Sequence, residues 1–193
     1  MRFLRSRTPA HRAPASLRDV WWRHRVRLGL PLAVGYIVLA RPTTTALAAG
    51  AAVALVGVLV RAVTAGHLRK NTMLATTGPY AVTRHPLYLG SALMAAGFLL
   101  AGRSIVAAVL GAVYFGFFYS AAMVREEAKL RARFGHAFDD WAARVPRFWP
   151  SIRARGVTAD GFSWRLYWRN GEYQAALGFV AGVALLWLKM KRG

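Results

Sequence analysis

From Leu28 onward the chain alternates long apolar runs with short polar breaks, and most of the breaks are basic. LGLPLAVGYIVLA at 28–40 and TTTALAAGAAVALVGVLV at 43–60 are separated only by Arg41-Pro42, and the runs at 87–102 and 104–124 only by Arg103. Two apolar runs joined by so short a break predict a helical hairpin, and here the pattern occurs twice. The first run is short for a membrane span, so its flanking arginines are expected to snorkel. A last apolar run, Gln174 to Leu188, closes on KMKRG. The expected fold class is therefore all-α: a polytopic membrane helical bundle of about five transmembrane helices in hairpins, with one amphipathic helix on the cytoplasmic side.

The segments between the runs carry a different pattern. In REEAKLRARFGHAFDDWAARV, 125–145, Leu130, Phe134, Phe138, Trp141 and Val145 recur every three to four residues. That spacing predicts an amphipathic helix outside the bilayer, weakened midway by Gly135 and ended by PRFWP. Residues 61–86 read as a basic loop with a turn at TTGPY. VWWRHRVR at 20–27 and FSWRLYWRNGEY at 162–173 mix aromatics with arginine, as a headgroup-level belt does. The expected organisation is a basic cytoplasmic or interfacial arm over 1–27 and an integral membrane domain over 28–193, with its catalytic core at 78–150. Small residues in both hairpins (Gly50, Ala51, Gly57, Gly97, Gly111, Gly116) suit close packing of membrane helices.

Composition sharpens this reading. The chain is 56% hydrophobic and yet has a formal net charge of +20. From Val20 to Arg125 it contains no Asp or Glu, which a bilayer explains because ionised carboxylates inside it are costly. The arginines flank apolar runs rather than lining a soluble face, which argues against nucleic acid and for anionic membrane lipids as partners. There is no cysteine, so disulfides, thiolate metal sites and a catalytic thiol are excluded, and no metal is expected. The N-terminal basic stretch is too long for a cleaved signal, and the apolar character runs past ALAAG at 46–50, so the segment reads as retained. Lys and Arg cluster in the arm, the 61–86 loop and the 125–172 segment, which orients these toward the cytoplasm with four spans between. The last run conflicts with that rule: it either crosses against it or lies tilted in the interface.

Counting outward from Arg103, about 17 residues back reaches Pro86 and as many forward reaches Ser120, each limb rising roughly 25 Å, so His85 and the Arg-Glu-Glu at 125–127 return to about the same membrane level. Arg84 and His85 then oppose Glu126 and Glu127 at the cytoplasmic ends of neighbouring helices. Pro86 suits the first helical position, and the free amides of that helix end, with Arg84, favour an anion. The glutamates favour a cation nearby. A ligand bearing both a carboxylate and an ammonium matches, and S-adenosylmethionine has that moiety.

GPYAVTRHPLYLG at 78–90, followed by EEAKLRARFGHAFDDWAARVPRFWP at 126–150, resembles the isoprenylcysteine carboxyl methyltransferase and phospholipid methyltransferase superfamily. The shared positions are Arg84, His85, Pro86, Tyr88, Gly90, Glu126, Glu127, Leu130, Phe134, Gly135, Val145 and Pro146. The resemblance implies an integral membrane enzyme, in the cell inner membrane with its site facing the cytoplasm, that moves a methyl group from S-adenosylmethionine to a lipophilic acceptor entering from the bilayer. It implies cofactor contacts from His85, Pro86, Tyr88, Glu126 and Glu127, catalytic roles for Arg84 and Glu127, and acceptor contacts from Arg147 and Trp141. Phe138 and Trp141 stand where the family's pattern has tyrosines, so stacking survives there but two hydroxyls do not.

No G-x-G pattern occurs, so a Rossmann seat for the cofactor is not available and helix ends must build it. The expected acceptor is the carboxylate of an isoprenylcysteine-like molecule, which needs no general base. A phospholipid amine is the alternative, and it would need Glu127 or His85 to take its proton. An NADPH-dependent sterol or isoprenoid double-bond reductase, whose chains share an Arg-His-Pro segment, is a more distant alternative, as is a basic adaptor that only binds lipid.

Overall fold

The computed structural model describes residues 17–69, 73–151 and 161–192. Positions 1–16 of the arm expected over 1–27, positions 70–72 of the middle loop, positions 152–160 and position 193 lie outside the described residues. Helices α1 (Leu17–Leu39), α2 (Thr44–His67), α3 (Pro86–Gly102), α4 (Ile105–Phe134), α5 (His136–Arg144), α6 (Trp164–Arg169) and α7 (Tyr173–Arg192) account for nearly all of it, with one 3₁₀ turn at Gly78–Ala81. Among the described residues there is no strand. The fold is that of an all-α integral membrane protein.

Both hairpins form where the polar breaks stand. Helix α2 begins at Thr43, whose hydroxyl accepts from the Ala46 amide at 3.4 Å, and α4 begins at Ser104, which accepts from Ala107 at 3.3 Å. Arg103 turns the second hairpin in the left-handed region, φ 51°. The two tips are tied together by the Arg41 amide donating to the Gly102 carbonyl at 2.8 Å.

Helices α2, α4 and α7 are long and apolar enough to cross a membrane, and 28–39 within α1 and the whole of α3 are shorter apolar helices. Their outward faces carry large exposed hydrophobes, among them Val38, Ile105, Val113 and Leu177. Such a surface suits lipid rather than water. Helices α2 and α3 approach closely through paired glycines. A Cβ on Gly57 would lie 2.5 Å from the Gly90 carbonyl oxygen, and one on Gly50 would overlap Gly97 in the same way. Without a hydrophobic drive between helices in lipid, such close backbone packing is what holds them.

Residues 17–27 form the first turns of α1, continuous with the run at 28–39. Two boundaries differ from the sequence reading. Helix α2 runs on to His67, which takes Arg61 out of the loop and into the helix. The fourth apolar run and the first half of the amphipathic segment form one helix, α4. Its composition changes at Arg125 but its helix-forming residues do not. At about 45 Å this helix exceeds a hydrocarbon core of ~30 Å, so its turns from Arg125 onward stand outside the membrane. The break falls at Gly135, φ 53°, and α5 folds back from there.

The path of the last run, open between two alternatives in the sequence, follows from the contacts at its two ends. Helix α7 starts beside Arg61, where Glu172 pairs with that guanidinium, and ends beside α1, where Lys189 Nζ donates to the Val38 carbonyl at 2.7 Å. It therefore traverses the bundle, and its terminal lysines lie at the end that carries Arg41 and Arg103. The basic-residue rule is overridden there because Lys189 satisfies carbonyls at the C-terminal end of α1.

Candidate functional site

The site forms where the second hairpin opens. Pro86 occupies the first position of α3, as its missing N–H allows, and His85 is the capping residue at φ −126°, ψ 57°. The segment before it is laced to the chain after α5. The Arg84 amide donates to Pro146 at 2.9 Å, the Ser151 amide to Val82 at 2.9 Å, and the Thr83 hydroxyl to Phe148 at 2.9 Å. Below this lacing, Phe138, Trp141 and Val145 pack with Tyr80 into a buried cluster that Leu130 and Phe134 join. The three-to-four spacing read from the sequence is the face of α4 and α5 that makes this cluster.

Glu127 is the centre. Its side chain is only 7% exposed, and three groups converge on it. Arg84 Nη1 donates to Oε1 at 2.9 Å, Arg147 donates through Nε at 3.1 Å and through Nη2 at 2.6 Å, and His85 Nε2 lies 3.2 Å from Oε1. A carboxylate only accepts, so the imidazole carries its proton on Nε2 in this arrangement. Burial pushes the Glu127 carboxyl up, but the Arg147 hydrogen bonds and the charge of Arg84 outweigh it and hold the group below the ordinary carboxylate range. His85 is displaced downward, by burial first, against the pull of Glu126 and Glu127. Burial also pushes the Tyr80 hydroxyl up, with the charge of Glu126 adding to it.

Glu126 points about 100° away around the helix and is half exposed, with its carboxylate 3.8 Å from His85 Nδ1. The pair is thus divided: Glu127 is engaged by the protein's own cations, and Glu126 faces outward. Arg131, one turn beyond Glu127 on α4, bonds Asp139 at 2.7 Å and not the glutamates' face of the site. Tyr88 stands on α3 with its ring 5.5 Å from His85 and 5.2 Å from Tyr119 of α4, which makes an aromatic wall on the membrane side.

The structure thus brings Arg84, His85, Pro86, Tyr88, Glu126, Glu127 and Arg147 to one place. Trp141 is set apart from them: it is buried, and its indole N–H donates to the Tyr80 carbonyl at 3.3 Å. Its place is in the packed cluster behind the site, where its N–H meets a carbonyl acceptor. Thr83 and Tyr119 were not among the residues picked from the sequence. Thr83 stands inside the quoted motif, but its role depends on carbonyls some 65 positions away, and no local signal marks Tyr119.

The residues fit the amino-acid end of S-adenosylmethionine on two counts. Arg84 Nε is buried without a hydrogen-bond partner among the described residues, next to the free amides at the start of α3. Glu126 offers a half-exposed carboxylate 3.8 Å from the ring of the adjoining His85. Among the described residues no group of three or more His, Cys, Asp or Glu side chains stands together.

Comparison with known proteins agrees with this geometry. The chain is 33% identical over 156 residues to the nickel-cobalt-cadmium resistance protein NccN of Alcaligenes xylosoxydans xylosoxydans, which covers 75% of this chain and 73% of that one. It is 34% identical over 84 residues to the cobalt-zinc-cadmium resistance protein CzcN of Cupriavidus metallidurans, with 44% of this chain and 38% of the relative covered. It is also 31% identical over 90 residues to the protein-S-isoprenylcysteine O-methyltransferase of Schizosaccharomyces pombe, covering 47% of this chain and 38% of that protein. No solved structure matches. Residues 32–137, more than half of the chain and including every site residue except Arg147, match the phospholipid methyltransferase family. The chain belongs to that family, and is a membrane methyltransferase of the phospholipid and isoprenylcysteine type.

Proposed function

We propose that the chain transfers a methyl group from S-adenosylmethionine to the carboxylate of a lipophilic, isoprenylcysteine-like acceptor. The observation that carries this reading is the division of labour around Glu127. One buried carboxylate gathers Arg84, His85 and Arg147, while Glu126 and the start of α3 remain to meet a zwitterion. When bound, the cofactor supplies a methyl group already activated on a sulfonium. Arg84 and the first amides of α3 hold its carboxylate, and Glu126 meets its ammonium. His85, Tyr88 and Tyr119 form a wall that keeps water from the reacting region, which favours attack by a desolvated anion.

Arg147 is half exposed even while bonded to Glu127, so it retains donor capacity for an anionic acceptor. A carboxylate acceptor needs orientation and no proton removal. A phospholipid amine is the second reading, supported by the family match; His85, kept neutral by burial, would accept its proton. The half-exposed guanidinium of Arg147 at the mouth favours the anion. The basic segments at that end support a location in the cell inner membrane with the site facing the cytoplasm.

The test is transfer of a labelled methyl group by the purified protein to an S-prenylcysteine and, separately, to phosphatidylethanolamine. Methylation of the S-prenylcysteine carboxylate, lost in His85→Ala and Tyr88→Ala with at least tenfold weaker S-adenosylhomocysteine binding, is the expected result. Methylation of the amine alone would replace the acceptor. Unchanged cofactor affinity in both variants would refute the site.

A further inference from the structure

A polar network inside the bundle leads to this site from the side of α2. Arg61 lies on α2 about 9 Å before that helix ends at His67. Its Nε and Nη2 donate to the two oxygens of Glu172 at 2.9 and 2.8 Å, and its Nη1 donates to the Ser91 hydroxyl on α3. The stem of Arg61 passes over Gly90, where a Cβ would lie 2.6 Å from Arg61 Cγ. The glycine that ends the TRHPLYLG stretch thus makes room for this arginine.

Ser91 is fully engaged. Its proton goes to the Leu87 carbonyl at 2.9 Å, which leaves its two lone pairs for Arg61 and for the Tyr119 hydroxyl of α4, also bonded to it. Tyr119 therefore donates to Ser91, and its ring is held by that bond. The ring stands 5.2 Å from Tyr88, which in turn stands 5.5 Å from His85. Contacts thus run continuously from Glu172, beside the start of α7, to the imidazole that caps α3.

Stability does not account for an ion pair at this depth. Ionisable groups within a membrane span are costly, and an apolar pair of like volume is often as stable as a buried ion pair. An apolar pair cannot direct a donor, however. Two guanidinium nitrogens pinned on one carboxylate fix the plane of the group and aim the third at Ser91.

We propose that Arg61 is a positioning residue for methyl transfer: through Ser91 it fixes the Tyr119 hydroxyl, and so the ring that completes the aromatic wall against Tyr88. Glu172 holds the guanidinium in the orientation this needs, and Gly90 gives its stem passage. The role rests on the reading that the cofactor binds beside His85 and Tyr88, and it holds for either methyl acceptor.

The experiment titrates the full chain in detergent with S-adenosylhomocysteine and follows thermal unfolding of the same samples. Ser91→Ala and Tyr119→Phe should each weaken binding about threefold to tenfold, the worth of one hydrogen bond. The two together should lose no more than either alone, because both break the same link. Arg61→Met with Glu172→Leu should show the same loss while unfolding close to the wild-type midpoint. Should that pair fail to fold, Arg61→Lys keeps the charge opposite Glu172 without the fork, and the same loss is expected from it. A network that is merely structural would move the midpoint and leave the affinity of the folded protein unchanged, and that result would overturn the proposal. Additive losses in the Ser91 and Tyr119 variants would overturn it too. If His85→Ala loses affinity while the network variants keep it, the cofactor site stands and the role of Arg61 falls. If wild-type protein and His85→Ala bind alike, the site itself is wrongly placed, and the role of Arg61 falls with it.

Discussion

His85 and Glu127 are 42 positions apart in the chain and 3.2 Å apart in space. The contact exists because the hairpin about Arg103 returns α4 alongside α3, and α4 continues past the membrane to deliver its glutamates. Around it the site separates a structural carboxylate from a presented one. Removing them should have different consequences.

Glu127→Gln leaves Arg84, His85 and Arg147 without the anion they share in a buried place. Breaking a buried charge cluster from one side costs about 3–5 kcal/mol, so this variant should unfold earlier and lose methyl transfer together. Glu126→Gln should keep the wild-type unfolding midpoint and lose cofactor affinity by roughly ten- to a hundredfold, the worth of one charge-assisted hydrogen bond. Thermal unfolding and S-adenosylhomocysteine titration on both variants test this. A midpoint drop in Glu126→Gln as large as in Glu127→Gln would contradict the division.

The displacement of His85 gives a sign to the pH dependence. Its folded value lies below the ordinary 6.5, chiefly through burial, so the folded state binds this proton less readily than the unfolded chain does. The stability this contributes is present above about 6.5 and is lost as pH falls through the lowered value. The unfolding midpoint should therefore decline from neutral pH toward pH 5, and His85→Gln should flatten that decline. Equal slopes for the two proteins would show that other groups govern it.

Arg61 and Glu172 form a second buried ion pair, joining α2 to the start of α7 across 111 positions. Arg61 also donates to Ser91, one turn beyond Tyr88 on α3. Arg61→Ala strands a carboxylate that is 9% exposed and should cost several kcal/mol, whereas Arg61→Met with Glu172→Leu should be close to neutral. A double-mutant cycle on unfolding measures this coupling. Additive losses would mean that the pair holds nothing in place.

How far the sequence disclosed all this depends on distance along the chain. The hairpins are legible because Arg41-Pro42 and Arg103 interrupt apolar runs at once, and the level of His85 against Glu127 follows from counting residues. Arg61 reads as loop because the acid that lets it stay inside α2 comes 111 positions later. The course of α7 is equally hidden, since Lys189 meets its carbonyls on α1, some 150 positions earlier. Trp141 illustrates the same limit within the site. Its motif position suggests an acceptor contact, and only the Tyr80 carbonyl shows which way the indole is used. Periodicity reports faces; it does not report which partner each face meets.

The glycines offer a last contrast, between close approach and open space. A Cβ on Gly57 would meet the Gly90 carbonyl at 2.5 Å and the Met94 amide at 2.6 Å, both backbone atoms that cannot rotate away. Gly57→Leu must therefore separate α2 from α3. Because α3 carries His85 and Tyr88 at its first turn, the displacement reaches the site, and cofactor affinity should fall with stability. Gly116 on α4 has nothing within 4 Å of such a Cβ, and it is helical. Gly116→Ala should stabilise by about 0.5–1 kcal/mol, since it removes only conformational freedom from the unfolded chain. Unfolding midpoints and S-adenosylhomocysteine affinities measured for both variants decide the matter. A tolerated leucine at Gly57 would mean that the glycine pairs do not set the spacing that holds α3, and His85 with it, in register against Glu127.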